Sequence, residues 1–183
     1  FLTMERSFSQ RHKVLFATSL VAMVLGSIHG FSVFLEPLEH SFQAPRARVS
    51  LTYSLCIICL TLAVLLGPMI YARVHPAVLY LWVAGIGLLG AVIAGLAHEL
   101  IYVWLGYSVI FGLANGLGYG FGLQFAARAN PDYSGLAMGI VTAAYALGAV
   151  LAPFGFEFAL GVGGFFTAMI GLGLTVFLAG LAA

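Results

Sequence analysis

His29 is the first residue to account for. It lies in an uninterrupted apolar run, Val14 to Leu35, with Gly26 and Gly30 close on either side. An ionisable group at that depth in a membrane helix faces a bundle interior or a cavity and takes part in a pathway or relay. Helical spacing aligns Ala22, Gly26, His29, Ser32 or Val33, and Glu36 on one face. The alternative is a neutral imidazole bonded to a neighbouring carbonyl, which fixes packing and does no chemistry. Asn115 poses the same choice, because an amide in lipid must find a partner and a cross-helix bond satisfies it without any substrate. Glu36, Glu39 and His40 have ligand-like helical spacing, but beside Pro37 at a loop mouth they read as solvated. Glu157, between Phe156 and Phe158, reads as a headgroup-level residue rather than a proton carrier. Arg128 and Asp132 are expected to pair within their own polar turn. Cys56 and Cys59 have redox-like spacing; with no second pair and no nearby histidine they read as small apolar residues.

No nucleophile stands with a base, no metal cluster is visible, and the Gly118 to Gly122 run lacks the strand–turn–helix setting of a phosphate loop. The expectation is a protein that is not an enzyme, with no metal and no cofactor.

What positions these residues is a set of membrane helices. Only 7% of the 183 residues are charged and 62% are apolar, against about 25% charged in a soluble domain. A water-exposed surface could not be built from so few charges, so the partner is a lipid bilayer. The near-zero net charge and the lack of a basic patch argue against nucleic acid. Six spans of sufficient length are expected: about Val14–Leu35, Arg48–Tyr71, Ala77–Ala97, Leu100–Ala127, Gly135–Phe158 and Leu160–Ala183, behind a polar segment, residues 1–13. The first is too long for a signal peptide and lacks a small-residue cleavage site. With both ends on one side, that side holds Arg6, Arg11, Lys13, Arg73 and Arg128, and the other only Arg46 and Arg48. The positive-inside rule then puts both termini in the cytoplasm.

The six helices form an internal repeat. Gly26-Ser27-Ile28-His29-Gly30 matches Gly112-Leu113-Ala114-Asn115-Gly116, eighty-six residues on, and Pro45 matches Pro131 at the same offset. Pro68 matches Pro153, eighty-five on. Three helices per copy is an odd number, so the copies (about 14–97 and 100–183) must enter the membrane from opposite sides. Inverted repeats of this kind build many secondary transporters, with the site near mid-membrane.

The run Gly106-Tyr107-Ser108-Val109-Ile110-Phe111-Gly112, with Gly116-Leu117-Gly118-Tyr119-Gly120 and Gly135-Leu136-Ala137-Met138-Gly139-Ile140, resembles helices 4 and 5 of the major facilitator superfamily. It is most similar to the oxalate/formate antiporter and monocarboxylate-transporter-like branch. Phe31-Ser32-Val33-Phe34-Leu35-Glu36-Pro37-Leu38 and Arg46-Ala47-Arg48-Val49-Ser50 resemble that branch's helix 1 end and helix 2 start. The resemblance runs from about Lys13 to Ala183 and covers the amino-terminal six of twelve helices. It implies half of a secondary transporter for a small organic anion. His29, Ser32 and Asn115 would then line the substrate site, with Tyr119 and Tyr145 as aromatic cage residues around a carboxylate. It also implies a cytoplasmic gate built on Gly67, Tyr71 and Arg73, facing Arg128 and Asp132. Here the sequence departs from the pattern: Tyr71 and Ala72 stand where the superfamily signature has aspartate and arginine, and Ser134 stands where the branch has arginine. No Lys or Arg lies inside any apolar run, although an anion at mid-membrane needs a counter-charge. In the resembled branch those cations sit in the second half, so a second six-helix half or another membrane subunit is expected as partner. The alternative is a structural or accessory subunit, derived from a transporter half and transporting nothing.

Overall fold

In lipid, backbone N–H and C=O groups have only one another to bond, which leaves the helix as the local solution for long apolar runs. The computed structural model describes the backbone of residues 2–183 and the side chains from Gln10 onward; the side chains of Glu5 and Arg6 lie outside the described residues. Among these residues all regular structure is helical. Five segments are long and apolar enough to cross a membrane. They are α1 (Gln10–Phe42), α2 (Arg46–Tyr71), α3 (Pro76–Gly95), α4 (Leu100–Ala129) and α5 (Ser134–Ala182).

Two segments depart from the expected bounds. The first continues past Leu35 to Phe42, because Pro37 is the third residue of the α-helical stretch Leu35–Phe42, where a missing N–H is tolerated. The fifth and sixth expected helices join as α5, and their break falls at Gly163 and Gly164 rather than between Phe158 and Leu160. Gly164 has φ 71°, a conformation natural to glycine. A straight helix of 49 residues would be about 74 Å long, more than twice the hydrocarbon core, so an interruption is required.

The two arms of α5 pack on different partners. Before the break, Gly148 meets Met23 and Phe156 meets Gly30, so this arm runs parallel to α1. After it, Met169 meets Gly95 and Gly180 meets Ala84, antiparallel to α3. Helix α4 fixes the remaining directions. It runs antiparallel to α1 (Gly118 on Leu25, Gly122 near Thr18) and to α3 (Gly106 on Ala94, Gly118 on Val83), and parallel to α2 (Gly112 on Cys56, Gly116 on Leu60). The arms of α5 therefore point in opposite directions, and the chain turns back at Gly163–Gly164. Gly180 lies against the Tyr80 carbonyl, and Gly122 lies near both the Tyr80 hydroxyl and Thr18, so the start of α1 and the end of α5 share one end of the bundle.

Close contacts recur at the repeat offset. Gly26 lies against Tyr145 and Gly112 against Cys59; Gly87 lies against Val176 and Gly173 against Ala91. The tightest crossing is α1 with α5, where a Cβ on Gly26 would collide with the Tyr145 carbonyl and one on Gly148 with that of Met23. The copies differ in winding at the shared glycine motif: the 3-10 stretch Gly26–Phe34 contains the first motif, whereas the π-helical stretch Trp104–Phe111 ends just before the second, which is α-helical.

Asp132 pairs with Arg11, 3.3 Å away at the head of α1, which corrects the expected local bridge to Arg128. Asn130, at φ −128° and ψ 64°, leaves the helix between Arg128 and Asp132, so the helical i,i+4 alignment that would pair them is lost. Both partners are exposed, so Asp132→Asn should change stability by less than about 1 kcal/mol, as checked by thermal unfolding in detergent.

Candidate functional site

At mid-depth, α1, α2, α4 and the first arm of α5 bring together a cluster of neutral hydrogen-bonding side chains. Asn115 is fully buried. Its Nδ2 donates to the Leu25 carbonyl at 2.6 Å, and its Oδ1 accepts from the Tyr145 hydroxyl at 3.1 Å. Leu25 immediately precedes the 3-10 stretch of α1. A buried amide with both ends engaged is satisfied by the protein itself, and it ties three helices at one point.

His29 sits on the open side of that knot. Its ring meets the edge of Tyr145 with centroids 5.4 Å apart. Its Nδ1 lies 2.7 Å from the Tyr53 hydroxyl of α2, so its partner is a phenol rather than the backbone carbonyl considered above. His29 is exposed and Tyr53 half-buried. The Tyr119 ring packs on Tyr145 at 4.2 Å, and its hydroxyl is 3.3 Å from Thr142 Oγ1. His29, Asn115, Tyr119 and Tyr145 thus lie in one contiguous cluster.

Ser32 does not join them. It lies further along α1, on the rim of a cavity of about 920 Å³ shared with Glu36, Glu39, His40, Arg46 and Glu157. There Glu39 pairs with Arg46 at 3.6 Å, and Glu36 lies 4.0 Å from His40.

Tyr53 and Thr142 are absent from the sequence-based set. Tyr53 is the one aromatic residue between Arg46 and Ile70, a signal visible in the sequence; Thr142 carries none. Ser108, also fully buried, bonds the Thr52 carbonyl, and the Tyr107 hydroxyl bonds that of Ile28. Cys56 donates to the Tyr107 carbonyl at 3.3 Å, as a small core residue would.

The expected gate residues divide. The Tyr71 side chain folds inward over Gly67, one turn back, and along Gly120, and its hydroxyl donates to the Leu117 carbonyl at 2.9 Å. Glycine at both positions leaves room for the ring. Tyr71 and Arg128 line one cavity of about 310 Å³ with Gln124, whereas Arg73 is exposed on the adjacent turn and Asp132 is held by Arg11. A tyrosine in this position clamps α2 to α4 through an uncharged bond. Tyr71→Phe removes that bond and should lower stability by about 0.5–1.5 kcal/mol, measured as earlier loss of the folded form on heating in detergent.

This neutral, aromatic cluster is carried on a bundle of long apolar helices. The chain is 27% identical over 149 residues to the uncharacterized MFS-type transporter YhjX of Escherichia coli (strain K12). It is a distant relative of a major facilitator-type transporter. The match takes in 81% of this chain and 36% of the relative, so the chain spans about a third of the length of that protein. No family model matches the chain. Helices of this length and composition, together with that relationship, mark an integral membrane protein.

Proposed function

We propose that this chain is one half of a secondary active transporter of the major facilitator type, carrying a small organic anion of the monocarboxylate or oxalate class. The observation that carries the proposal is the cluster around Asn115: uncharged hydrogen-bonding side chains tied across three helices, with the His29 imidazole exposed beside them. In this reading the arms of α5 are two spans, giving six, with both termini in the cytoplasm of a bacterial-type inner membrane. Residues 14–97 and 100–183 are the inverted copies. The paired glycine contacts, at offsets of eighty-five and eighty-six residues, support that symmetry.

The cluster offers hydroxyl and imidazole groups and no fixed cation, so in this reading the anion's counter-charge comes from a second six-helix half. Helix α2 is the segment most in need of such a partner. Only 22% of its most apolar window is buried, against 56% for α4.

The test is uptake of labelled oxalate and formate by vesicles holding the full-length protein, under an imposed proton gradient. Saturable uptake that exceeds protein-free vesicles supports transport. No uptake, together with co-purification in fixed stoichiometry with other membrane proteins, favours the accessory-subunit reading, which the loss of the charged gate signature at Tyr71 and Ala72 also favours.

A further inference from the structure

The end of the bundle where α1 starts is also where α2 and α4 finish. Among the described side chains it holds Arg11, Lys13, Arg73 and Arg128 against one carboxylate, Asp132. The other described carboxylates, Glu36, Glu39, Glu99 and Glu157, belong to the opposite end. Arg11 takes Asp132. Lys13, Arg73 and Arg128 therefore have no counter-charge among the described residues.

Of these three, Arg128 stands at a cavity. The space, about 310 Å³, lies between the ends of α2 and α4 and the start of α3. Tyr71, Val74, Phe121 and Phe125 give it apolar walls, while Gln124 and Arg128, one turn apart on a single face of α4, give it donors. Arg128 is exposed and Gln124 half-buried, so both are open to a ligand. The Tyr71 hydroxyl is already committed to the Leu117 carbonyl and leaves both donors free. Pro76, the first residue of α3, also lines the cavity, and no side chain caps that helix. The positive end of its dipole adds to the Arg128 charge.

A guanidinium offers a fork of N–H groups that matches two phosphate oxygens at once, and an amide one turn away donates a further bond. Helix ends lie at the level of lipid phosphates, where basic pockets between membrane helices take acidic head groups. The aromatic walls suit the carbon skeleton attached to such a phosphate.

We propose that this cavity binds the phosphate of a glycerol ester through Arg128 and Gln124, supplied as the head group of an acidic phospholipid or as the free ester from water. Arg128 lies thirteen residues beyond Asn115 on the same helix, about 20 Å along it. The site is thus separate from the Asn115 cluster and does not rest on the transport reading.

The experiment is native mass spectrometry of the full-length protein titrated in detergent with dioleoyl-phosphatidylglycerol, dioleoyl-phosphatidylcholine or glycerol 3-phosphate. Phosphatidylglycerol should be retained several-fold more than phosphatidylcholine if the lipid is the source. Saturable binding of glycerol 3-phosphate without that lipid preference identifies the free ester instead; either result supports the site. Arg128→Gln, at an exposed and unpaired position, should fold as wild type and lose the several-fold difference. Ala129→Trp, which fills the cavity without changing charge, should lose it too. Lys13→Gln removes the same charge at the same end but outside the cavity, and should keep it. No preference for phosphatidylglycerol together with no binding of glycerol 3-phosphate would overturn the proposal. So would binding unchanged in Arg128→Gln, or lost equally in Lys13→Gln, which would mean general surface charge only. Anion uptake is scored separately, so failure here leaves the transport reading standing.

Discussion

Gly148→Val should all but abolish recovery of the folded protein. The residue lies where the first arm of α5 crosses α1, and any Cβ there runs into the carbonyl of Met23. A clash with a flexible side chain can relax by rotation, but a clash with backbone requires a whole helix to move. Gly26 makes the reciprocal contact with the Tyr145 carbonyl, so separating the helices also pulls Tyr145 from Asn115. Overpacking a core costs about 1–3 kcal/mol in ordinary cases, and this one should reach or pass the upper end because neither backbone can yield. Gly139→Val is the matched control: same helix, same substitution, no atom within 4 Å of the new Cβ. Monodisperse protein after detergent extraction is the measurement. The expected result is near-total loss for Gly148→Val and wild-type yield for Gly139→Val; comparable yields would show that the crossing is looser than described.

That contrast marks what the sequence could and could not disclose. The glycines four apart announce close helix contacts, since small residues let backbones meet in lipid, but the spacing does not say which glycines are used. Gly112 and Gly116 face α2, while Gly135 and Gly139 meet nothing within 4 Å among the described residues. Helix length follows from apolar runs measured against bilayer thickness, so α2, α3 and α4 lie within two residues of their expected ends, whereas five segments stand where six are expected. The reversal in α5 was misplaced because Gly161, Gly163 and Gly164 sit inside a run with no polar residue to mark a turn. Only the left-handed backbone at Gly164 identifies it.

The site was half legible for a related reason. A polar residue in an apolar helix stands out singly, as His29 and Asn115 do, but its partner depends on rotation about neighbouring helices. The 3-10 and π stretches at the two glycine motifs alter that rotation and leave no trace in hydropathy. Tyr53 therefore met His29 unannounced, and Asp132 met Arg11 from more than a hundred residues away.

Because the cluster has a buried half and an open half, its variants should separate into two kinds. Asn115→Ala removes the partner of the Tyr145 hydroxyl and a donor to the Leu25 carbonyl, both within the bundle. Polar bonds between membrane helices contribute about 0.6 kcal/mol on average and up to about 1.7, so losing two at one knot should destabilise by roughly 1–3 kcal/mol. Stability and uptake should then fall together. His29→Ala exposes no buried group apart from the Tyr53 hydroxyl, which is half-buried and open to the same face as His29. Its folded yield should match wild type while proton-linked uptake disappears. Tyr53→Phe keeps the ring beside Phe31 and removes only the bond to Nδ1, so it should reduce uptake without abolishing it, because imidazole orientation and not the imidazole itself is lost. Unfolding temperature and uptake under a proton gradient, measured on the same three preparations, decide the matter. Wild-type uptake by His29→Ala would remove the imidazole from the mechanism, and a fall in stability equal to that of Asn115→Ala would make it another strut of the bundle.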